Sequence, residues 1–286
     1  MQLIDGKALA EKIKVDIAQQ VQDHIKAGHR PPHLAAVLIG EDPASNIYVK
    51  NKVKSCEQVG FESTLIRRPA SISQEELLTI IQSLNEDPLI DGFIVQLPLP
   101  QHINEEVVTM AIHPSKDVDG FHPENFGRMA QGMDCYLPAT PCGIIEMLKA
   151  YQIETSGKKA VVVGRSNIVG TPMSILLSRK GPQGDATVTL CHSRTADLKQ
   201  FTKEADILVA AIGRSNFITG DMVKEGAVVI DVGMNRVDKK LSGDVDFESV
   251  APKASYITPV PGGVGPMTVV SLLLNTLKAA KKEIYP

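Results

Sequence analysis

The chain has 286 residues, 43% of them apolar, enough to bury one large core or two ordinary ones, and two is the expectation. Its 30 Lys and Arg against 33 Asp and Glu give a formal charge of -3, which excludes the basic footprint of a nucleic-acid-binding protein. Four cysteines (Cys56, Cys135, Cys142, Cys191) lack CxxC spacing and the seven histidines show no ligand spacing, so neither a disulfide framework nor a metal site is expected.

The opening segment MQLIDGKALAEK lacks the basic-then-apolar order of a signal peptide, and no run of about 18 apolar residues could span a bilayer. A soluble cytoplasmic protein with reduced thiols and no membrane partner is therefore expected. Asp5 is suited to cap a first helix that carries Ile13, Ile17, Val21 and Ile25 at four-residue steps and stops at Gly28. A strand over 34–39, a helix over 44–59 and a strand over 61–66 follow. Ser73 and Glu76 form a capping-box pattern for the next helix, after which 91–96 reads as a buried strand and 105–112 as a short helix.

The stretch 120–141 is poor in regular pattern and reads as a segment crossing between domains. Beyond it come a helix over 141–151, strands over 159–164, 187–193, 205–213, 227–233 and 255–260, and a last helix over about 267–281. This alternation predicts an α/β fold with mainly parallel strands in two domains separated by a cleft. Residues 1–120 form the first, an N-terminal α/β substrate domain against which the last helix packs back. Residues 121–286 form the second, a Rossmann-like doubly wound domain.

VVVGRSNIVGTP, at 161–172, runs an apolar strand into a glycine turn and a proline-initiated helix, a shape that receives a dinucleotide pyrophosphate. It departs from GxGxxG, because Ser166 stands at the second glycine and Gly170 sits one place late; a turn glycine needed only for tight geometry is the alternative. The following strand ends in CHSRT, without the carboxylate that bonds an NAD ribose. Arg165, Ser193 and Arg194 offer charge and donors suited to a 2′-phosphate, so NADP is favoured over the reading of these residues as solvated loop.

Tyr48 and Lys52 lie four residues apart on one helix face. A YxxxK pair also occurs in short-chain dehydrogenases, but there it follows the glycine turn, and here it precedes it by more than a hundred residues. Lysines on helices are ordinarily solvated charges. Their company changes the reading: Gln96 ends a strand at the edge where α/β sheets place ligands, Asp117 and Asp119 lie in a glycine turn, and TPVPGGVGPMT can bring backbone donors close to a ligand.

YVKNK, VQLPLP, KDVDGFH, TPCGIIEML, VVVGRSNIVGTPM, ADILVAAIG, GDMVKEGAVVIDVGMN and ITPVPGGVGPMT together resemble the bifunctional methylenetetrahydrofolate dehydrogenase/cyclohydrolase family nearly end to end, in its compact bacterial form. Departures from the family pattern are Ala139 within PATP and Thr171 where bacterial relatives often carry arginine. The resemblance implies NADP-dependent oxidation of 5,10-methylenetetrahydrofolate to the methenyl cation, its hydrolysis to 10-formyltetrahydrofolate, and a homodimer. It implies Lys52 as the proton-transfer group oriented by Gln96, Tyr48 stacked on the folate, and Asp119 holding the pterin. Leu97, Pro98, Pro261, Gly262 and Gly263 would border the substrate; Gly164, Arg165, Ser166, Ile168, Ser193, Arg194, Gly213 and Met234 would border NADP. Asp117 is expected to cap its own turn. The competing readings are a different NADP oxidoreductase on the same scaffold, acting on a shikimate-like or amino-acid substrate, and a silent dinucleotide-binding protein.

Overall fold

The computed structural model describes residues 1–237 and 240–285. In chain order its elements begin β1 (Gln2–Leu3), α1 (Gly6–Lys26), β2 (His33–Ile39), α2 (Pro43–Val59), β3 (Glu62–Arg68), α3 (Gln74–Glu86), β4 (Gly92–Val95), α4 (Glu105–Ala111) and α5 (Pro123–Ala130). They continue with α6 (Ala139–Ala150), β5 (Lys159–Val163), α7 (Gly170–Ser178), β6 (Thr187–Cys191), α8 (Leu198–Thr202), β7 (Ile207–Ala210), β8 (Val228–Asp231), β9 (Asn235–Val237), β10 (Lys240–Ser242), α9 (Phe247–Val250), β11 (Tyr256–Ile257) and α10 (Val264–Ala280). The chain forms two compact units. One, the lysine unit, contains Lys12–Met129, Met133–Ala139 and the chain from Val269 onward; the other, the glycine-turn unit, contains Met1–Glu11, Ala130–Gly132 and Thr140–Thr268.

In the lysine unit three parallel strands run in the order β3-β2-β4. Six of the seven residues of β2 are buried, which is why HLAAVLI reads as a continuous apolar run: a central parallel strand is covered on both faces. Ala35, Val37 and Phe93 of the sheet pack with Leu77, Ile81 and Leu84 of α3, whose three- and four-residue spacing puts them on one face. Each such large side chain stabilises the unit by roughly 1.5–3 kcal/mol. The expected capping box is present: the Ser73 hydroxyl accepts from the Glu76 amide and Glu76 accepts from the Ser73 amide.

In the glycine-turn unit six parallel strands run in the order β1-β11-β8-β7-β5-β6. Chain order reverses at β5, with β6 on one side and β7 on the other, so the topological switch point lies outside the carboxyl ends of β5 and β7.

Several features differ from the sequence reading. Helix α5 lies inside 120–141, where Gly127 and a length of eight residues left no lasting period to detect. The short edge strand β1 pairs with β11 and draws residues 1–11 into the glycine-turn unit, while 121–129 and 133–139 join the lysine unit, so the units do not divide at residue 120. Helix α10 begins at Val264, because Pro266 falls in its first turn, where a missing N–H leaves no bond unmade.

Candidate active site and dinucleotide turn

Helix α2 is fixed at both ends. The Asp42 carboxylate accepts from the Ser45 amide, Pro43 opens the helix, and Gly60 closes it in the left-handed region at φ 80°. Ser45, Val49, Lys52, Cys56 and Val59 are all buried and follow one another at alternating steps of four and three, so they form the stripe that faces the core. Lys52 thus occupies a core position at 5% exposure, while its neighbours Lys50 and Lys54 stand in solvent.

Inside that stripe the Lys52 Nζ donates to Gln96 Oε1 at 3.3 Å and lies 4.8 Å from the centroid of the Tyr48 ring. Gln96 follows directly on β4, its amide bonded to the Val37 carbonyl, and its Nε2 donates to the Leu97 carbonyl at 2.8 Å. That second bond sets the amide flip and turns the oxygen towards the lysine. Burial lowers the Lys52 pKa below the ordinary lysine range, opposed by the Asp119 carboxylate and then by Cys56. The same burial raises Asp119, opposed by Lys52. Cys56 is pushed up to about 12, again by burial, so its thiol stays protonated. The bonded neighbour of the lysine is a neutral amide, which orients the amine without locking it in a close ion pair.

Asp119 stands in a turn built by Asp117. The Asp117 carboxylate accepts from the amides of Phe121 (3.2 Å) and His122 (2.8 Å) and from the Asn125 side chain (2.9 Å), and its own carbonyl accepts from the Gly120 amide, which is the capping role expected of it. Burial nonetheless pushes Asp117 up to about 7. Asp117 and Asp119 also line a small pocket with Phe93, Val95, Leu97 and Phe121. Sequence reasoning missed two residues that hold this turn: Asn125, itself bonded by the Tyr285 hydroxyl at 2.9 Å, and Asn275, whose Nδ2 donates to the carbonyls of Val118 and Leu137 at 2.9 Å each. The only signal for Asn275 was a polar residue in the apolar stretch VVSLLLNTL. Pro98 is exposed and Leu97 half-buried beside Gln96. Pro261, Gly262 and Gly263 belong to the glycine-turn unit, where the Gly262 carbonyl accepts from the Lys7 amide and Gly262 adopts φ +105°.

At the switch point Gly164 ends β5 at φ +119°, and a Cβ there would stand 2.0 Å from the Ala211 carbonyl oxygen. A Cβ on Gly170 would stand 1.9 Å from the Gly164 carbonyl oxygen. These are close-approach glycines, and Gly170 meets the requirement for tight strand-to-helix packing despite its shifted place. The Ser166 hydroxyl accepts from the Val169 amide at 3.1 Å, so it serves the start of α7. Arg165, Ser193 and Arg194 are exposed on the turns after β5 and β6, and no carboxylate stands beside them in the run His192–Thr195, which folds on itself through His192 and Thr195. Ile168, Gly213 and Met234 are also exposed. The absence of Cβ atoms at the turn and the exposed cations at the end of β6 fit a dinucleotide carrying a 2′-phosphate. Among the described residues no group of His, Cys, Asp and Glu could hold a metal ion, and no helix is long and apolar enough to cross a membrane.

A parallel sheet with a glycine turn at its switch point, and a separate unit with a buried lysine, define a dinucleotide-dependent α/β enzyme. The family model described as the tetrahydrofolate dehydrogenase/cyclohydrolase catalytic domain matches residues 4–119, and that of the NAD(P)-binding domain matches residues 138–284. The chain belongs to the tetrahydrofolate dehydrogenase/cyclohydrolase family. It is 59% identical to the bifunctional protein FolD of Phocaeicola vulgatus over 292 aligned positions covering 100% of both chains. Among solved structures it is similar to the bifunctional FolD methylenetetrahydrofolate dehydrogenase/cyclohydrolase of Campylobacter jejuni, with a TM-score of 0.95 and 49% identity over 99% of each chain. The Trypanosoma brucei dehydrogenase-cyclohydrolase, solved with NADP cofactor and inhibitor, aligns with a TM-score of 0.92 and 36% identity over 99% of this chain and 98% of that one.

Proposed function

We propose that Lys52 is the proton-transfer group of the hydrolytic half of this enzyme's reaction. The chain is a bifunctional enzyme of one-carbon metabolism: it oxidises 5,10-methylenetetrahydrofolate to the methenyl compound with NADP and hydrolyses that compound to 10-formyltetrahydrofolate. The observation that carries the assignment is a lysine at 5% exposure bonded to a neutral amide.

Oxidation needs mainly positioning, because the folate nitrogens stabilise the cation that forms. NADP, when bound, supplies the hydride acceptor. Gly164, Gly170, Ser166 and Ile168 would frame its pyrophosphate, Arg165, Ser193 and Arg194 its 2′-phosphate, and Gly213 and Met234 the remainder. Hydrolysis asks for three proton movements: a water loses a proton as it adds to the amidinium carbon, a ring nitrogen gains one as its bond to that carbon breaks, and the added hydroxyl releases its proton as the formyl carbonyl forms. The depressed pKa of Lys52 makes its free amine accessible as the base, and the ammonium so formed is the acid for the second movement. Gln96 holds the amine on course, Tyr48 gives the folate ring a face to stack on, and Asp119 accepts from the pterin N–H groups. Leu97 and Pro98, next to Gln96 in the same unit, would border the folate.

In this reading the lysine unit, which takes most of 1–120 and the greater part of the last helix, binds folate, and the glycine-turn unit, which takes most of the chain from 121 onward, binds NADP. The enzyme acts in the cytoplasm, in keeping with four buried cysteines that form no disulfide. It is a homodimer, with exposed Val237 and Leu241 on the β9–β10 hairpin giving it apolar surface to cover. Sedimentation equilibrium returning a monomer at micromolar concentration would remove the dimer. An assay that follows NADPH and the methenyl chromophore together tests the function: NADP-dependent appearance of both, then decay of the chromophore faster than in buffer, is expected. Absence of any NADP-dependent change with methylenetetrahydrofolate would contradict it.

A further inference from the structure

Two buried carboxylates in the glycine-turn unit take no part in the folate chemistry. Asp244 is fully buried and Asp231, the last residue of β8, is 4% exposed. Asp244 Oδ2 accepts from the amides of Ile212 (2.5 Å) and Gly213 (2.9 Å), and its Oδ1 accepts from the Arg214 amide (2.9 Å) and the Asn235 side chain (2.8 Å). Asp231 Oδ1 accepts from the amides of Gly233 (2.9 Å) and Asp244 (2.8 Å), and its Oδ2 accepts from the Val245 amide (3.0 Å). The packing leaves no slack. A Cβ on Gly233 would stand 2.3 Å from Asp244 Oδ1, and one on Gly243 would stand 1.8 Å from Asp231 Oδ2.

The segments tied in this way are the ones that follow β7 and β8. Residues 211–214 leave the carboxyl end of β7, next to the Gly164 turn of β5, and so form one wall of the switch-point crevice. Residues 233–235 leave the carboxyl end of β8 and flank the exposed Met234. A loop with three consecutive amides on one carboxylate cannot shift without breaking charge-assisted bonds to a side chain that is itself fully buried.

We infer that Asp244, seated on Asp231, is a positioning residue for NADP: it holds the Ile212–Arg214 loop and, through Asn235, the turn around Met234 in the shape that receives the dinucleotide. The inference rests on the assignment of NADP to this unit. It separates from the folate chemistry because Lys52, Gln96 and Asp119 belong to the other unit and hydrolysis consumes no dinucleotide.

Asp244→Asn keeps the size of the side chain but turns an NH₂ towards amides that need an acceptor. The expected result is a rise of about tenfold or more in the KM for NADP and in its Kd by direct titration. The KM for the folate should be unchanged, and cyclohydrolase activity should stay within about twofold of the parent, an effect too small to count as a lost hydrogen bond. Should the Asn variant fold poorly, Asn235→Ala removes one of the four bonds and should raise the KM for NADP by about threefold with the same split. Unchanged NADP affinity in a folded variant, or loss of both activities in equal proportion, overturns the inference and leaves the carboxylates as fold-stabilising groups only. A parent enzyme with no NADP-dependent oxidation would instead sink the functional reading itself.

Discussion

Replacing Gln96 by Glu sets a carboxylate oxygen where the amide oxygen now stands, 3.3 Å from the Lys52 nitrogen, without changing the length of the side chain. Two unit charges at that distance attract by about 5 kcal/mol at an effective dielectric constant of about 20. Fully expressed, this would move a pKa by more than three units, at about 1.36 kcal/mol per unit. Gln96 is only half-buried, and solvent screening reduces the expected rise to about 1–2 units. The sign follows from the charges: a carboxylate favours the ammonium, so the Lys52 pKa, held low by burial in the parent, goes up and the free amine becomes scarcer at any lower pH. Cyclohydrolase kcat/KM should rise with pH through the pKa of Lys52, and this acid limb should move upward by about 1–2 units in Gln96→Glu. At neutral pH the rate of hydrolysis should fall about 10- to 100-fold, recovering towards the parent in alkali. The assay is the decay of the methenyl chromophore across the accessible pH range, with the spontaneous rate in buffer subtracted. NADP reduction should change much less, since it draws on no base. An acid limb that stays in place while the variant binds folate normally would refute the reasoning.

Arg165→Ala should raise the KM for NADP by about tenfold or more, the value of a charge-assisted phosphate contact, and leave that for NAD nearly unchanged. Equal effects on both, in steady-state assays with each cofactor, would remove Arg165 from the 2′-phosphate site. Gly164→Ala places a methyl group 2.0 Å from the Ala211 carbonyl oxygen at φ +119°, and should lower the free energy of unfolding by about 3 kcal/mol or more in a urea titration. A loss under about 1 kcal/mol would mean that the turn can open to admit a side chain.

Long, strongly patterned elements were legible from sequence alone. HLAAVLI is a buried central strand, Ser73 and Glu76 close a capping box, and VVVG runs from a strand into a glycine turn, because each is dictated by residues near one another in the chain. What escaped depends on partners far away in sequence. Strand β1 exists only because β11, more than 250 residues later, offers an edge to pair with. Strand β11 is two residues long where a run of six was expected, since Pro259 and Pro261 cannot continue a ladder. The candidate site divides in the same way. Tyr48 and Lys52 were visible as a helical pair, but the burial of Lys52 was hidden by the charged run KNKVK and emerges only when the stripe from Ser45 to Val59 is counted. Asn275 and Asp244 lie in no motif, and Asp231 was read only as part of GDMVKEGAVVIDVGMN, with no role of its own. Their roles come from backbone groups that the fold delivers to them.

Whether Lys52 moves the protons of hydrolysis is read from the ratio of cyclohydrolase to dehydrogenase activity in Lys52→Met. Methionine fills the same stripe position with an apolar chain of similar length, and Gln96, half-exposed, can turn its oxygen to water, so the fold should be retained. Loss of a general acid-base group predicts a fall in hydrolysis of about 100-fold or more, with NADP reduction weakened only modestly. Asp119→Ala is the control, lowering both activities together because it loosens the pterin. If Lys52→Met leaves the ratio at the parent value, Lys52 binds or supports the folate without moving protons, and the proton-transfer mechanism is wrong.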